Sequence, residues 1–148
     1  MQKMGSVKEY LQQIRRNEEQ IRRLEETIAT IHSEMSGLRS PRFDTDRVQT
    51  SGNDDRLLLL LARCESVEAR LQEDRAERIT TNGIIIQQIG QLPNHNHSEV
   101  LYLRYVKYLK WDDIAERMHF NRRWVERLHG AALQEFSRLH SDSISIAQ

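Results

Sequence analysis

The chain has 148 residues and sets 22 basic against 22 acidic side chains, so a net charge of zero names no partner. Apolar residues make up 38% and charged residues 30%, which is lean for a compact globule and typical of exposed helices. A single cysteine, Cys64, excludes an internal disulfide and with it a secreted disulfide scaffold, so a reducing cytoplasm is the expected home.

Other classes fall to simple lengths. The longest apolar run, 57–62, is far short of the ~20 residues a bilayer-spanning helix needs, so no membrane partner is expected. No apolar segment follows Met1, so no signal peptide is expected either. The basic residues are eighteen Arg and only four Lys. Arginine is preferred where a planar, multi-donor fork is useful, as at phosphates and carboxylates.

The first third reads as a heptad seam. Counting in sevens from Val7 gives Ile14, Ile21, Ile28 and Met35; counting from Tyr10 gives Asn17, Leu24, Ile31 and Leu38. The two rows alternate by three and four residues, the inner positions of a coiled coil, and their strict period distinguishes them from an ordinary amphipathic face. Asn17 is the one polar member; it either fixes register from inside the seam or faces water. Ser36-Gly37 and Ser40-Pro41 close this helix. A polar loop follows over 39–53, and its Arg42, Asp44, Asp46 and Arg47 fit ion pairs or a docking site equally well. A second helix of about forty residues is expected from Asp54-Asp55, two acids suited to a helix N-terminus. Its apolar residues are Leu57, Leu60, Leu61, Cys64, Val67 and Leu71, then Ile79, Ile85, Ile86, Ile89 and Leu92. Thr80-Thr81-Asn82-Gly83 marks a weak point, because these residues are poor helix formers. Cys64 reads as a small hydrophobe on the apolar stripe rather than a reactive thiol. Two long helices joined by a loop fold most simply into an antiparallel hairpin. A homodimeric coiled coil competes with it.

After Leu92-Pro93 the texture changes to short helices. Val100, Leu101, Leu103, Tyr105 and Val106 fall mostly on one side, and Leu109-Lys110 breaks the phase. Two helices at helix-turn-helix spacing follow. Ile114, Ala115 and Met118 point inward from the first, Phe120 plugs the turn, Asn121 caps the second, and Val125 and Leu128 point inward from it. That leaves Arg122, Arg123, Glu126 and Arg127 outward, near the end that enters the major groove in this motif. Arginine can bind guanine O6 and N7 together, and glutamate can accept from cytosine N4. Lys107, Lys110 and Arg117 stand where flanking phosphates would pass, and Asn121 completes the expected DNA-binding set. Segment 98–139 holds eight basic and six acidic residues. Its small positive excess implies weak binding alone, relieved by dimerisation or by RNA polymerase.

Leu92-Pro93, the run Val100-Leu101-Tyr102-Leu103-Arg104-Tyr105, Ile114-Ala115-Glu116 and Val125 together resemble region 4 of bacterial sigma factors. The whole chain is similar to a phage and prophage family of ArpU-type late-gene regulators. Lys8-Glu9-Tyr10-Leu11 carries that likeness at the start, Asp46-Arg47-Val48-Gln49-Thr50-Ser51 in the loop, and Arg127-Leu128-His129-Gly130 with Ala132 and Leu133 near the end. The resemblance implies control of late or packaging genes in a bacterial host cytoplasm, through double-stranded promoter DNA and host RNA polymerase. It also implies a polymerase-facing surface drawn from Leu101, Tyr102, Tyr105 and Tyr108, for which core packing is the plainer reading. Two departures stand out: His119 occupies the turn position usually held by Gly, and Lys110 stands where Ser or Thr would cap the first helix.

Catalysis has little support. No glycine-rich phosphate loop, cysteine pair or nucleophile with a matching base occurs, and His95 and His97 lack further ligands at metal spacing. No cofactor and no metal are expected, and the two histidines read as exposed residues of a helix start. The expected architecture is all-α: a coiled-coil hairpin over 6–92 with its loop at 39–53, a helix-turn-helix DNA-binding domain over 93–139, and a flexible tail over 140–148. The expected function is that of a phage DNA-binding transcriptional regulator without enzymatic activity. The rival readings are an oligomeric packaging protein of the small terminase subunit kind, and a protein that binds polymerase or sigma factor without touching DNA.

Overall fold

In the computed structural model, residues 4–39 and 51–147 are described. The protein is all-α, with no strand among the described residues. Its helices are α1 (Met4–Arg39), α2 (Ser51–Gly90), α3 (His95–Leu101), α4 (Trp111–Met118), α5 (Arg122–Leu139) and α6 (Ser141–Ile146). No helix among these is long and apolar enough to cross a membrane. The greater part of the polar loop, 40–50, lies outside the described residues. The chain divides into two units: Glu19–Arg78, and a second made from the start of α1 through Glu18 together with everything from Ile79 onward.

In the unit Glu19–Arg78, α1 and α2 run antiparallel. Arg75 donates from Nε and Nη2 to Glu25 Oε1 at 3.0 and 2.8 Å, and His32 Nε2 lies 2.5 Å from Glu68 Oε1. The partners climb α1 as they descend α2. Ile28 and Met35 are buried, and Ile21, Leu24, Ile31 and Leu38 are half-buried. The heptad rows of this unit are therefore spent within the chain. On α2, Leu57, Leu61, Cys64 and Leu71 are half-buried, whereas Leu58, Leu59, Leu60 and Val67 are exposed. The helix begins at Ser51 rather than Asp54, so Asp54 sits inside the first turn, where a negative charge still meets the helix dipole.

The other unit opens with the same seam, here closed: Val7, Tyr10 and Ile14 are buried with Leu11. Asn17 does not face water. Its Nδ2 donates to Asn82 Oδ1 at 2.9 Å, and Asn82 Nδ2 donates to the Ile14 carbonyl at 3.0 Å. These bonds explain why α2 runs unbroken through Thr80-Thr81-Asn82-Gly83. Poor local propensity costs a few tenths of a kcal/mol per residue, about 1 for Gly. A buried, bonded Asn82 followed by buried Ile85 outweighs it. One turn further on, Tyr10 Oη donates to Gln88 Oε1 at 2.6 Å, and Gln88 Nε2 donates to Ser143 Oγ at 3.0 Å.

After Pro93, Asn94 caps α3 by accepting from the N–H groups of Asn96 and His97 at 3.0 and 3.3 Å. His97 is not an exposed residue of the helix start: its Nδ1 pairs with Glu135 of α5, and both side chains are largely buried. Beyond α3, Tyr102–Val106 winds as a π-helical turn closed by Lys107 N–H on the Tyr102 carbonyl at 3.1 Å. The wider turn slips the phase, so Leu103 and Tyr105 both bury beside Val100 and Leu101. Leu101 and Tyr105 are thus core residues and offer no partner surface. Tyr108 then takes a left-handed backbone, φ 57°.

Val7, Leu11 and Ile14 of α1, Ile85 and Ile89 of α2, and Val125, Leu133 and Phe136 of α5 belong to one hydrophobic cluster with Val100, Leu101 and Ile114. The short helices are therefore built onto the ends of the long ones. Residues 141–146 are not a flexible tail. They form α6, fixed by Ile144 at 1% exposure and by the bond to Gln88. The run Ser141 to Ile146 repeats an apolar residue too sparsely for a sequence pattern to reveal it.

Candidate nucleic-acid interface

The outward side of α4, its turn and α5 is assembled from local rules. Lys110 makes no side-chain cap, and Asp112 and Asp113 occupy the first turn of α4 instead. At the other end His119 adopts φ 60°, ψ 37°. Its N–H reaches the Glu116 carbonyl at 3.3 Å and the Phe120 N–H reaches Ala115 at 3.0 Å. This paired closure is the Schellman arrangement, in which the left-handed residue is ordinarily Gly. Asn121 then starts α5, its Oδ1 accepting from Trp124 N–H at 2.8 Å. Ile114, Ala115, Val125 and Leu128 are buried between the elements, with Met118 half-buried. Phe120 does not plug the turn. It is 36% exposed and lies edge-on to Trp124, with ring centroids 6.4 Å apart at 68°.

Of the residues expected to meet DNA, all eight are exposed, but they divide into three kinds. Arg122 is committed: Nε donates to Glu126 at 3.1 Å and Nη1 to Asp112 at 3.3 Å, tying α5 to α4. Those carboxylates, the Glu126 hydrogen bond first, also hold its guanidinium more firmly charged than usual. Glu126 is thereby engaged as well, and the Asn121 oxygen is spent on the cap. Arg123 and Arg127 form the second kind. They stand one turn apart on the outward face and make no ion pair among the described residues. Lys107, Lys110 and Arg117 form the third. Lys107 and Lys110 precede α4, with Lys107 Nζ 5.8 Å from the Tyr102 ring, and Arg117 lies in the last turn of α4.

Behind this surface sits a buried polar pair. Tyr105 Oη and His129 Nε2 are 2.9 Å apart, and Trp111 meets the His129 ring edge-on at 4.7 Å between centroids. Burial, with Lys8 and Arg104 adding repulsion, lowers the His129 pKa to about 4, so it packs as a neutral ring. Burial likewise raises Tyr105 to about 12. Arg104 lies 4.3 Å above the Trp111 ring and donates to the Leu109 carbonyl at 2.9 Å, which pins the segment leading into α4.

The sequence pattern gives Trp124 no role and places Phe120 inside the turn rather than at the surface. Trp124 is the third residue of α5 and 47% exposed. The signal was available: with Val125 and Leu128 pointing inward, position 124 falls beside Arg127 on the outer side. No group of three or more His, Cys, Asp or Glu side chains arranged to hold a metal occurs among the described residues. Comparison with protein-family models, curated proteins and solved structures returns no match to this chain.

Proposed function

We propose that the chain is a phage-encoded DNA-binding transcriptional regulator, activating late genes at promoter DNA together with host RNA polymerase. The observation that carries this reading is the outward face of α5. There Arg123 and Arg127, exposed and outside any ion pair among the described residues, flank the N-terminal end of a helix that follows a tight turn. In a helix-turn-helix that end enters the major groove, and arginine is the side chain best shaped to read guanine there. The likeness to sigma region 4 and to the late-gene regulators supplies the rest.

Selection from a pool of random-sequence duplexes, at low and at moderate salt, tests it. The expected result is a recurrent site whose retention falls as salt rises, because phosphate contacts release counterions. No enrichment at either salt overturns the reading. On the selected duplex, Arg127→Ala is expected to weaken binding by roughly tenfold or more and to relax preference at one base pair, with helicity unchanged. Unchanged affinity in a mobility-shift titration sinks the placement.

A second copy belongs to this reading, since such motifs commonly read paired half-sites. The exposure of Leu58, Leu59 and Leu60, at 64%, 56% and 47%, also favours a second reading as an oligomeric DNA-packaging protein. Native mass separates the two: a dimer supports regulation, and a ring of about eight copies or more supports packaging.

A further inference from the structure

The aromatic pair beside the arginines adds a chemistry that arginine cannot supply. Trp124 is not needed by the core, whose α5 positions are filled by Val125, Leu128, Leu133 and Phe136. Nor is it loosely placed. Its backbone N–H is held by the Asn121 cap at 2.8 Å, and the Phe120 ring stands edge-on against the indole. Phe120 is itself fixed by its N–H on the Ala115 carbonyl at 3.0 Å. The result is an exposed apolar ledge at the start of α5, with Arg123 beside it and Arg127 one turn later. Both guanidinium groups favour a polyanion over an apolar protein face. Among the groups a duplex presents in its major groove, the thymine C5-methyl is the apolar one.

We infer that Trp124, buttressed by Phe120, is a specificity-determining residue that packs against a thymine methyl in the major groove, next to the bases read by Arg123 and Arg127. This inference rests on the DNA-binding reading above. It assigns the aromatic ledge to sequence choice: arginines select guanine, and the ledge selects an A·T pair in one orientation beside it. Arg122, tied to Asp112 and Glu126, has no part in this step and keeps the two helices in register.

Deoxyuridine substitution isolates the methyl group. The duplex selected by the full-length protein is resynthesised with each thymine in turn replaced by deoxyuridine, which removes the methyl and leaves the base pairing. At one position the wild-type protein is expected to lose affinity by roughly fourfold, the worth of one buried methyl. Trp124→Ala is expected to bind the thymine and deoxyuridine duplexes equally, and Phe120→Ala to show an intermediate ratio. Circular dichroism and thermal unfolding of both variants confirm that α5 is retained. Equal wild-type binding to every substituted duplex overturns the inference and leaves DNA reading standing. So does a Trp124→Ala variant that still pays the full penalty. If the wild-type protein selects no site at all, DNA reading falls and this inference with it.

Discussion

The two units treat the same seven-residue pattern differently. Near the short helices, Val7, Tyr10 and Ile14 are at most 7% exposed. In Glu19–Arg78 the same rows bury Ile28 and Met35 but leave Ile21, Leu24 and Ile31 only half-buried, and α2 exposes Leu58, Leu59 and Leu60. Two helices alone cover each other along one stripe. A third and fourth layer is needed to close the flanks, and α3, α5 and α6 provide it in only one unit. A sustained heptad therefore specifies which residues meet, while the degree of burial depends on what else packs there.

The contrast can be broken most directly by truncating one side chain in each unit. Phe136→Ala removes a ring at 0% exposure and is expected to cost about 4 kcal/mol, whereas Leu24→Ala is expected to cost about 1 kcal/mol. Guanidinium unfolding followed by tryptophan fluorescence reads the first, because Trp111 and Trp124 both lie in the unit that holds Phe136. Amide exchange within Glu19–Arg78 reads the second. Equal costs would mean that the two units are packed alike.

Acid sharpens the comparison next. His129 has a folded pKa of about 4 against an ordinary 6.5, chiefly through burial. Unfolded chains bind its proton first, so its neutral packing stabilises above pH 6.5 and that stability is lost as pH falls toward 4. The full loss is on the order of 3 kcal/mol. Fluorescence-monitored unfolding at stepped pH is expected to weaken over this window, and His129→Gln to flatten the slope. An identical slope in the variant would remove His129 from the account.

The smallest effect lies in the turn. His119 holds a left-handed backbone that L side chains adopt at a cost. His119→Gly relieves it but frees the unfolded chain, for a net gain of about 0.5 kcal/mol. A loss of stability would show that the His119 side chain contributes something its geometry does not reveal.

Much of this architecture was legible. All ten seam positions are buried or half-buried, and α5 runs from Arg122 to Leu139 with Asn121 as its cap. Those features follow from local spacing and from single residues with strong positional preference. That His119 stands at a turn position usually held by Gly was visible too, and the closure of α4 gives it the left-handed backbone. What escaped depends on partners distant in sequence. The forty-residue length of α2 was expected, but the bond that supports its weak point was not, since Asn82 reaches back to α1. The ion pairing of the exposed Arg122 depends on Asp112, ten residues earlier, and His97 found Glu135 across 38 residues. The π-helical turn and left-handed Tyr108 have no residue signature, since neither position carries Gly or Asn.

The unit that carries α4 and α5 is discontinuous: its first eighteen residues are separated from the rest by the sixty of Glu19–Arg78. Val7, Leu11 and Ile14 are made before Ile85, Leu101 and Phe136 and wait for them before they can be covered. Such distant pairings slow folding, because chain entropy is lost before the packing that offsets it is gained. An excised fragment 93–139 would likewise lack the side chains that close its core. Assembly of the helix pair bearing the outward arginines therefore waits until all of Glu19–Arg78 and the segments after it through α5 have been made.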